Sequence, residues 1–321
     1  GLEDVSLGSL KISMDIENVK ITDEGVDVRV KRNSGEANLV GLNFIVSDGE
    51  DSEVFEVETN MKELATQTFN LDYTGFPESV EIAPILANEE GREKIYNSID
   101  KYENSIRKDL EELGIVSWWS FNGNAEDEIG ENNGELFGDV NCNVQGSYGR
   151  ACEFDGDDDY ILIEDNKELD TFNGEVSFSF WVKPTSFESL TTASAFLSKR
   201  LSNYNGFFIF AQTGTSYLYW DWGNSESRLN TGFAIPIGEW NHIILSKDDN
   251  ERHLYVNGEL YASISNTGDD SLAVSSSDLY IGKDIYPSSG YYYNGLLDEI
   301  MIFDKALTKE QVKWLYEEDL S

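Results

Sequence analysis

The chain has 321 residues, with 61 Asp plus Glu against 23 Lys plus Arg, a formal net charge of −38, 40% hydrophobic residues and 12% aromatic ones. That length suits two domains with real cores, and the apolar content excludes an acidic disordered tail. The charge excludes nucleic acid as a partner, because phosphate binding needs a basic stripe, and it opposes approach to an anionic membrane.

Self-repulsion at this charge weakens the compact state unless salt screens it, and at molar salt the Debye length is about 3 Å. A surface adapted to very high salt and a protein that meets abundant divalent cations both fit. No run of 18 apolar residues occurs, so direct membrane insertion is not expected of this segment. The sequence opens at Gly1 without Met, and we expect an anchoring or targeting segment upstream of it.

Residues 1–88 read as a small antiparallel β-sandwich. Apolar and polar positions alternate in Leu10-Lys-Ile-Ser-Met-Asp-Ile16 and Val26-Asp-Val-Arg-Val30, with breaks at Asp23-Glu-Gly25, Asn33-Ser-Gly35 and Asp48-Gly-Glu50. The period then changes. Ile95, Ile99, Tyr102, Ile106, Leu110 and Leu113 follow one helical face, so residues 89–113 are expected to form a connecting helix that Gly114 terminates. Residues 114–321 return to the β pattern. Asn257-Gly258, between two alternating runs, signals a type I′ hairpin, and Thr308 with Gln311 forms a capping-box spacing ahead of a short C-terminal helix.

Cys142 and Cys152 stand ten positions apart, flanking a segment with Gly146 and Gly149 that reads as a hairpin or tight loop. A disulfide there would contribute about 2.5 to 3 kcal/mol in the chain-entropy model. It would also imply an oxidising, extracytoplasmic compartment. Two free buried thiols are the alternative.

An ordered set of segments carries a resemblance. It comprises Ile115-Val-Ser-Trp-Trp-Ser-Phe121, Asp127-Glu-Ile-Gly130, Gly149-Arg-Ala-Cys-Glu-Phe-Asp-Gly156, Val176-Ser-Phe-Ser-Phe-Trp-Val-Lys-Pro184, Leu254-Tyr-Val-Asn-Gly258 and Asn294-Gly-Leu-Leu-Asp-Glu-Ile300. Together these resemble the laminin-G-like domains of the concanavalin-A-like jelly-roll superfamily. The fold implied is all-β: the small sandwich, the connecting helix, then a larger jelly roll. Val30-Lys-Arg-Asn-Ser-Gly35 with Gly41-Leu-Asn-Phe-Ile-Val-Ser-Asp-Gly49 more faintly resembles the β head of archaeal type IV pilin-like proteins, which would tether the jelly roll at a cell surface.

The laminin-G resemblance implies a structural Ca²⁺ held by Asp127, Asn133 or its neighbour, and Asp298, with Asp155 as a further candidate; hard oxygen ligands suit that ion. Asp157-Asp158-Asp159 reads as an Asx-type turn. Glucanases of this fold place paired acids on a rigid strand, whereas Glu126-Asp-Glu-Ile-Gly-Glu131 lies in a Gly/Asn-rich loop, so no catalysis is expected. His242 reads as a core-strand residue and His253 as a surface one.

Ligand contacts are expected from aromatics. Tyr217, Tyr219 and Asp221 share one strand face and Leu218, Trp220 and Trp222 the other, leaving open which face is core, although Leu218 favours the Trp set. Tyr291 and Tyr292 belong to a Tyr-rich loop suited to contacts at low entropic cost. The expected function is a non-catalytic extracellular or cell-surface adhesin that binds glycans or glycoproteins. The alternatives are a structural subunit of a surface filament or layer, and a glycoside hydrolase.

Overall fold

The computed structural model describes residues 12–317, apart from 23–24, 49–50, 74–76, 89, 104, 171–173, 188–192, 202–204, 266–274 and 287–289. The chain divides into two compact units, residues 1–108 and 109–320.

In the first unit, β1 (Met14–Thr22), β2 (Gly25–Arg32) and β5 (Thr66–Leu71) form a three-stranded antiparallel sheet. A second sheet contains β3 (Leu39–Ser47), β4 (Ser52–Glu58), β6 (Ser79–Ala87), β7 (Glu93–Ile95) and β8 (Asp100–Glu103). Period-two alternation does the sorting: Val26, Val28 and Val30 are fully buried with Leu42, Phe44, Val46, Val80 and Ile82. Phe44 and Phe69 meet at 5.1 Å between ring centroids, tying the two sheets together.

The helix expected over 89–113 is a correction. Of the described residues in that stretch, only α1 (Ser105–Glu112) is helical, while Ile95 lies in β7 and Tyr102 in β8. Both short strands pair along β6, Ile95 opposite Ile85 and Tyr102 opposite Val80. Asn88 starts the reversal, its Oδ1 accepting the N–H groups of Glu90 and Arg92. Pairing satisfies the backbone groups that β6 would otherwise leave open at a sheet edge, and this outweighs a helical spacing of apolar residues. Gly114 does terminate α1, with φ of 80° and its N–H on the Glu111 carbonyl.

The second unit is built from two larger antiparallel sheets. One has the order β10 (Gly134–Phe137), β13 (Tyr160–Ile163), β21 (Leu279–Ile281), β15 (Ala193–Arg200), β16 (Gly206–Gln212), β17 (Tyr217–Ala234). The other has the order β11 (Asn141–Gln145), β12 (Arg150–Asp155), β24 (Asn294–Phe303), β14 (Val176–Ser186), β18 (Asn241–Lys247), β19 (Glu251–Val256), β20 (Glu259–Ser265), with β9 (Ile115–Trp119) also paired to β24. Their inner faces share one core. Phe178 of β14 lies 4.8 Å from Phe207 of β16 and 5.9 Å from Trp220 of β17, centroid to centroid. Alternation again decides the facing: Val176, Phe178, Phe180 and Val182 are completely buried in that core.

Local signals in the sequence map onto this frame. Cys142 and Cys152 form a disulfide across the β11–β12 hairpin. Asn257 and Gly258 turn β19 into β20 with φ of 50° and 80°, as a type I′ turn requires. Thr308 and Gln311 cap α2 (Lys309–Glu317) reciprocally, the Thr308 N–H on Gln311 Oε1 at 2.8 Å and the Gln311 N–H on Thr308 Oγ1 at 3.4 Å.

Candidate functional site

The strand 217–222 resolves the open choice of face. Leu218, Trp220 and Trp222 are completely buried in the core, so Tyr217, Tyr219 and Asp221 lie on the outer face of the six-stranded sheet. That outer face is unusually aromatic. On β16, Phe208 and Phe210 stack at 4.4 Å; Tyr219 stacks on Phe210 at 5.3 Å, and Tyr291 on Phe208 at 6.1 Å. Ala193 and Ala195 complete this cluster, which is separate from the main core. Tyr217 is 39% exposed at the start of β17.

The strip continues across β10, β13 and β21. Phe137 stacks on Tyr160 at 4.7 Å, and Tyr160 packs on Tyr280 at 6.0 Å. A short hairpin of β22 (Lys283–Asp284) and β23 (Tyr291–Tyr292) joins the two halves, and the Lys283 ammonium lies 3.8 Å from the Tyr160 ring centroid and 5.1 Å from that of Tyr292. Beyond the 162 end of β13 opens a cleft of about 410 Å³, lined by Glu131, Asn133, Glu135, Leu162, Glu164 and Asn166 among others.

Two arginines brace the face. Arg200 lies 4.1 Å from the Phe208 ring centroid and donates to Asp284, which also accepts from Ser198 Oγ. Arg228 lies 5.0 Å from the Phe210 ring centroid and holds Asp221 through two bonds of 2.8 Å. Asp221 was expected to contact ligand; it is instead 2% exposed and committed to this bidentate pair. Burial pushes its carboxyl up, and the Arg228 bond opposes that. The face therefore offers rings, hydroxyls and cationic heads to a ligand, with Asp221 holding the scaffold. Sequence reasoning missed Phe208, Phe210, Tyr160 and Lys283. Every residue of Gly206–Ala211 is buried, so no alternation marks an outer face there.

The four residues expected to hold a metal fall into separate local roles. Asp127 accepts N–H bonds from Trp118 at 2.9 Å and from Ile129 and Asn132 at 3.2 Å, while Asn133 Oδ1 accepts the Asp127 N–H. A carboxylate facing three backbone donors organises a loop, and those dipoles disfavour a cation beside it. Asp155 accepts from the N–H groups of Asp157 and Asp158 in an Asx turn, as the sequence suggested. It shares with Asp158 and Asp159 the one group of three acids, among the described residues, whose ligand atoms lie within 4.8 Å of one another. Asp159 is already committed, accepting from the N–H groups of Asp139 and Asp155.

Asp298 differs. A β-bulge in β24, with Glu299 at φ of 48°, puts Leu297 and Ile300 in the core and leaves Asp298 and Glu299 together between them. Asp298 Oδ2 accepts the N–H groups of Ser147 and Tyr148; Oδ1 is buried without a hydrogen bond. Burial pushes the carboxyl up to about 8 against the pull of those N–H groups. Of the four, it is the one with a buried carboxylate oxygen left open.

The acids weighed for catalysis do not sit on a strand. Glu126 and Glu131 are exposed in the loop after β9, and Glu128 accepts from Ser120 Oγ. His242 is buried beside Trp181 and Tyr316, stacked at 5.0 and 5.9 Å, with Nε2 2.8 Å from Ser179 Oγ. Burial lowers its pKa to about 3, so it is a neutral core imidazole. His253 lies in β19, 2.7 Å from Ser263 Oγ.

Among the described residues, no helix is long and apolar enough to cross a membrane. Residues 155–313 match the model of the concanavalin A-like lectin/glucanases superfamily of laminin G type. No relative was found among curated proteins. Among solved structures, the chain is similar to domain 4 of AbnA, a GH43 extracellular arabinanase from Geobacillus stearothermophilus solved with arabinotriose, at 24% identity and a TM-score of 0.51 over 64% of this chain and 98% of that one. It is also similar to the binding domain of botulinum neurotoxin serotype D, at 17% identity and a TM-score of 0.51 over 67% of this chain and 53% of that one. The receptor-binding domain of the C/D mosaic serotype gives 16%, 0.50, 64% and 51%. The chain thus spans about half the length of these toxin domains. At such identities the likeness speaks to fold alone. Within the larger unit, residues 155–313 thus match the concanavalin A-like model, and the two packed antiparallel sheets agree with that fold.

Proposed function

We propose that the larger unit is a non-catalytic module that binds carbohydrate outside the cell, as the glycan- or glycoprotein-recognising part of a surface adhesin. The observation that carries this is the outer face of the six-stranded sheet, where Phe137, Tyr160, Tyr280, Tyr292, Tyr291 and Tyr219 form a strip of partly exposed rings bordered by a polar cleft. Aromatic faces offer sugar rings an apolar stacking surface, while carboxylates and amides beside them accept and donate to hydroxyls. The likeness in fold to an arabinanase domain solved with arabinotriose supports the reading. The Cys142–Cys152 disulfide suits an oxidising compartment, and the first unit would serve as the spacer that holds the module at a surface.

Calcium would be structural in this reading. Asp298 would contribute its buried Oδ1, and the ion would neutralise a carboxylate otherwise held protonated well above its usual range.

The test is a glycan array and cell-surface binding with the purified chain in molar NaCl and millimolar CaCl₂. Tyr219→Ala and Tyr160→Ala should each weaken a hit by about 3- to 10-fold, the equivalent of about 0.5 to 1.5 kcal/mol for one ring contact. Absence of any glycan or cell-surface binding by the wild-type chain would overturn the proposal.

A further inference from the structure

In a chain with 61 acids, carboxylates are the natural partners of cations: Arg29 pairs with Glu17, Lys101 with Glu81, Lys309 with Glu259 and Lys199 with Asp165. Lys283 departs from it. Its ammonium stands 3.8 Å from the Tyr160 ring centroid and 5.1 Å from that of Tyr292, and no carboxylate of the described residues lies in salt-bridge contact with it. Its neighbour in sequence, Asp284, is fully buried and already held by Arg200 and Ser198. Asp159, next to Tyr160, has both carboxylate oxygens on backbone N–H donors.

Two tyrosines thus fix a cationic head at the junction between the two halves of the aromatic strip. The rings order the lysine stem and hold the ammonium by their quadrupoles without neutralising it. Lys283, Tyr160 and Tyr292 are all only partly buried, so the trio reaches the surface.

We infer that Lys283 forms an anion subsite within the carbohydrate-binding face, so that the ligand is a saccharide carrying a carboxylate or a sulfate whose ring stacks on Tyr160 or Tyr292. The inference rests on the carbohydrate reading above and narrows it to acidic sugars. Carboxylate and sulfate share the chemistry that matters here: a fixed negative charge with several acceptor oxygens, placed against a preorganised donor. The rest of the surface would repel such a ligand. Recognition therefore needs a local cation, and molar salt would mute the repulsion more than it mutes a contact pair partly shielded by rings.

The experiment compares matched saccharides by calorimetry in 0.5 M NaCl: oligogalacturonate against its methyl ester, and sulfated against unsulfated galactan fragments. The readout is the acidic-to-neutral affinity ratio in the wild type divided by the same ratio in Lys283→Gln, which cancels long-range repulsion because the variant alters one charge among many. The expected quotient is about 5 to 10 for the carboxylate or sulfate pair, in line with one partly desolvated charge contact. Lys283→Arg should keep that preference, and neutral-sugar affinity should be the same in all three proteins. A carboxylate-only or sulfate-only response identifies the source of the anion. A quotient of one with neutral sugars still bound overturns the anion subsite and leaves the carbohydrate reading standing. No binding of any probe, together with an empty glycan array, overturns both.

Discussion

Ser147 donates its backbone N–H to Asp298 Oδ2 at 2.7 Å across 151 positions of sequence, so the loop between β11 and β12 closes over a carboxylate held in the β24 bulge. Tyr148 adds a second N–H at 3.1 Å.

That arrangement sets a pH dependence. An unfolded Asp titrates near 3.8, whereas burial moves Asp298 up to about 8. Between these values the native state holds a proton that the unfolded state has released, so this group's contribution to stability falls as pH rises from about 4 to about 8. Asp298→Asn should flatten that slope and raise the unfolding midpoint at pH 8 by several degrees in metal-free buffer, on the order of 2 kcal/mol. Titrating CaCl₂ against matched NaCl at pH 8 should stabilise the wild type and leave the variant unmoved. Equal calcium responses in the two proteins would remove Asp298 as a ligand.

His242 acts in the opposite sense. Its pKa falls from 6.5 to about 3 on burial, so the unfolded state binds the extra proton between those values. Stability from this residue is complete above about 6.5 and is lost as pH falls toward 3. His242→Phe keeps a ring against Trp181 and Tyr316 and should remove this acid limb, while costing about 1 kcal/mol at pH 7 for the partner lost by Ser179 Oγ. Chemical denaturation at pH 4.5 and pH 7 reads both effects.

The disulfide closes a small loop, and Cys142 and Cys152 are both buried in the main core. Replacing both by Ala should lower stability by about 2 to 3 kcal/mol. An equal loss when the wild type is simply reduced would assign the effect to the cross-link; a much smaller one would assign it to packing.

Gly258 serves the hairpin and the C-terminal helix together. Its φ is 80°, and a Cβ there would stand 2.8 Å from the Tyr316 ring. Gly258→Ala should cost about 1 to 2 kcal/mol from left-handed strain and displacement of Tyr316. The Tyr316→Ala background should relieve the steric part, which a double-mutant cycle measures.

The sequence alone determined the parts that depend on near neighbours. Alternation marked Val26 to Val30 as a half-buried strand, because side-chain direction in a strand repeats every two residues. Asn257-Gly258, Thr308 with Gln311 and the cysteine hairpin were legible for the same reason: each rests on backbone geometry within about ten residues. Only the tertiary structure decided the rest. Ile95 and Tyr102 were drawn into strands by the open edge of β6, a partner no local period reveals. Phe208 and Phe210 lie in an unbroken apolar run, so only pairing with β15 and β17 turned them outward. Lys283 meets Tyr160 from 123 positions away, and Asp298 owes its high pKa to burial, against N–H groups of a distant loop that pull it down. Charge, stacking and desolvation act through space, and chain folding sets those distances.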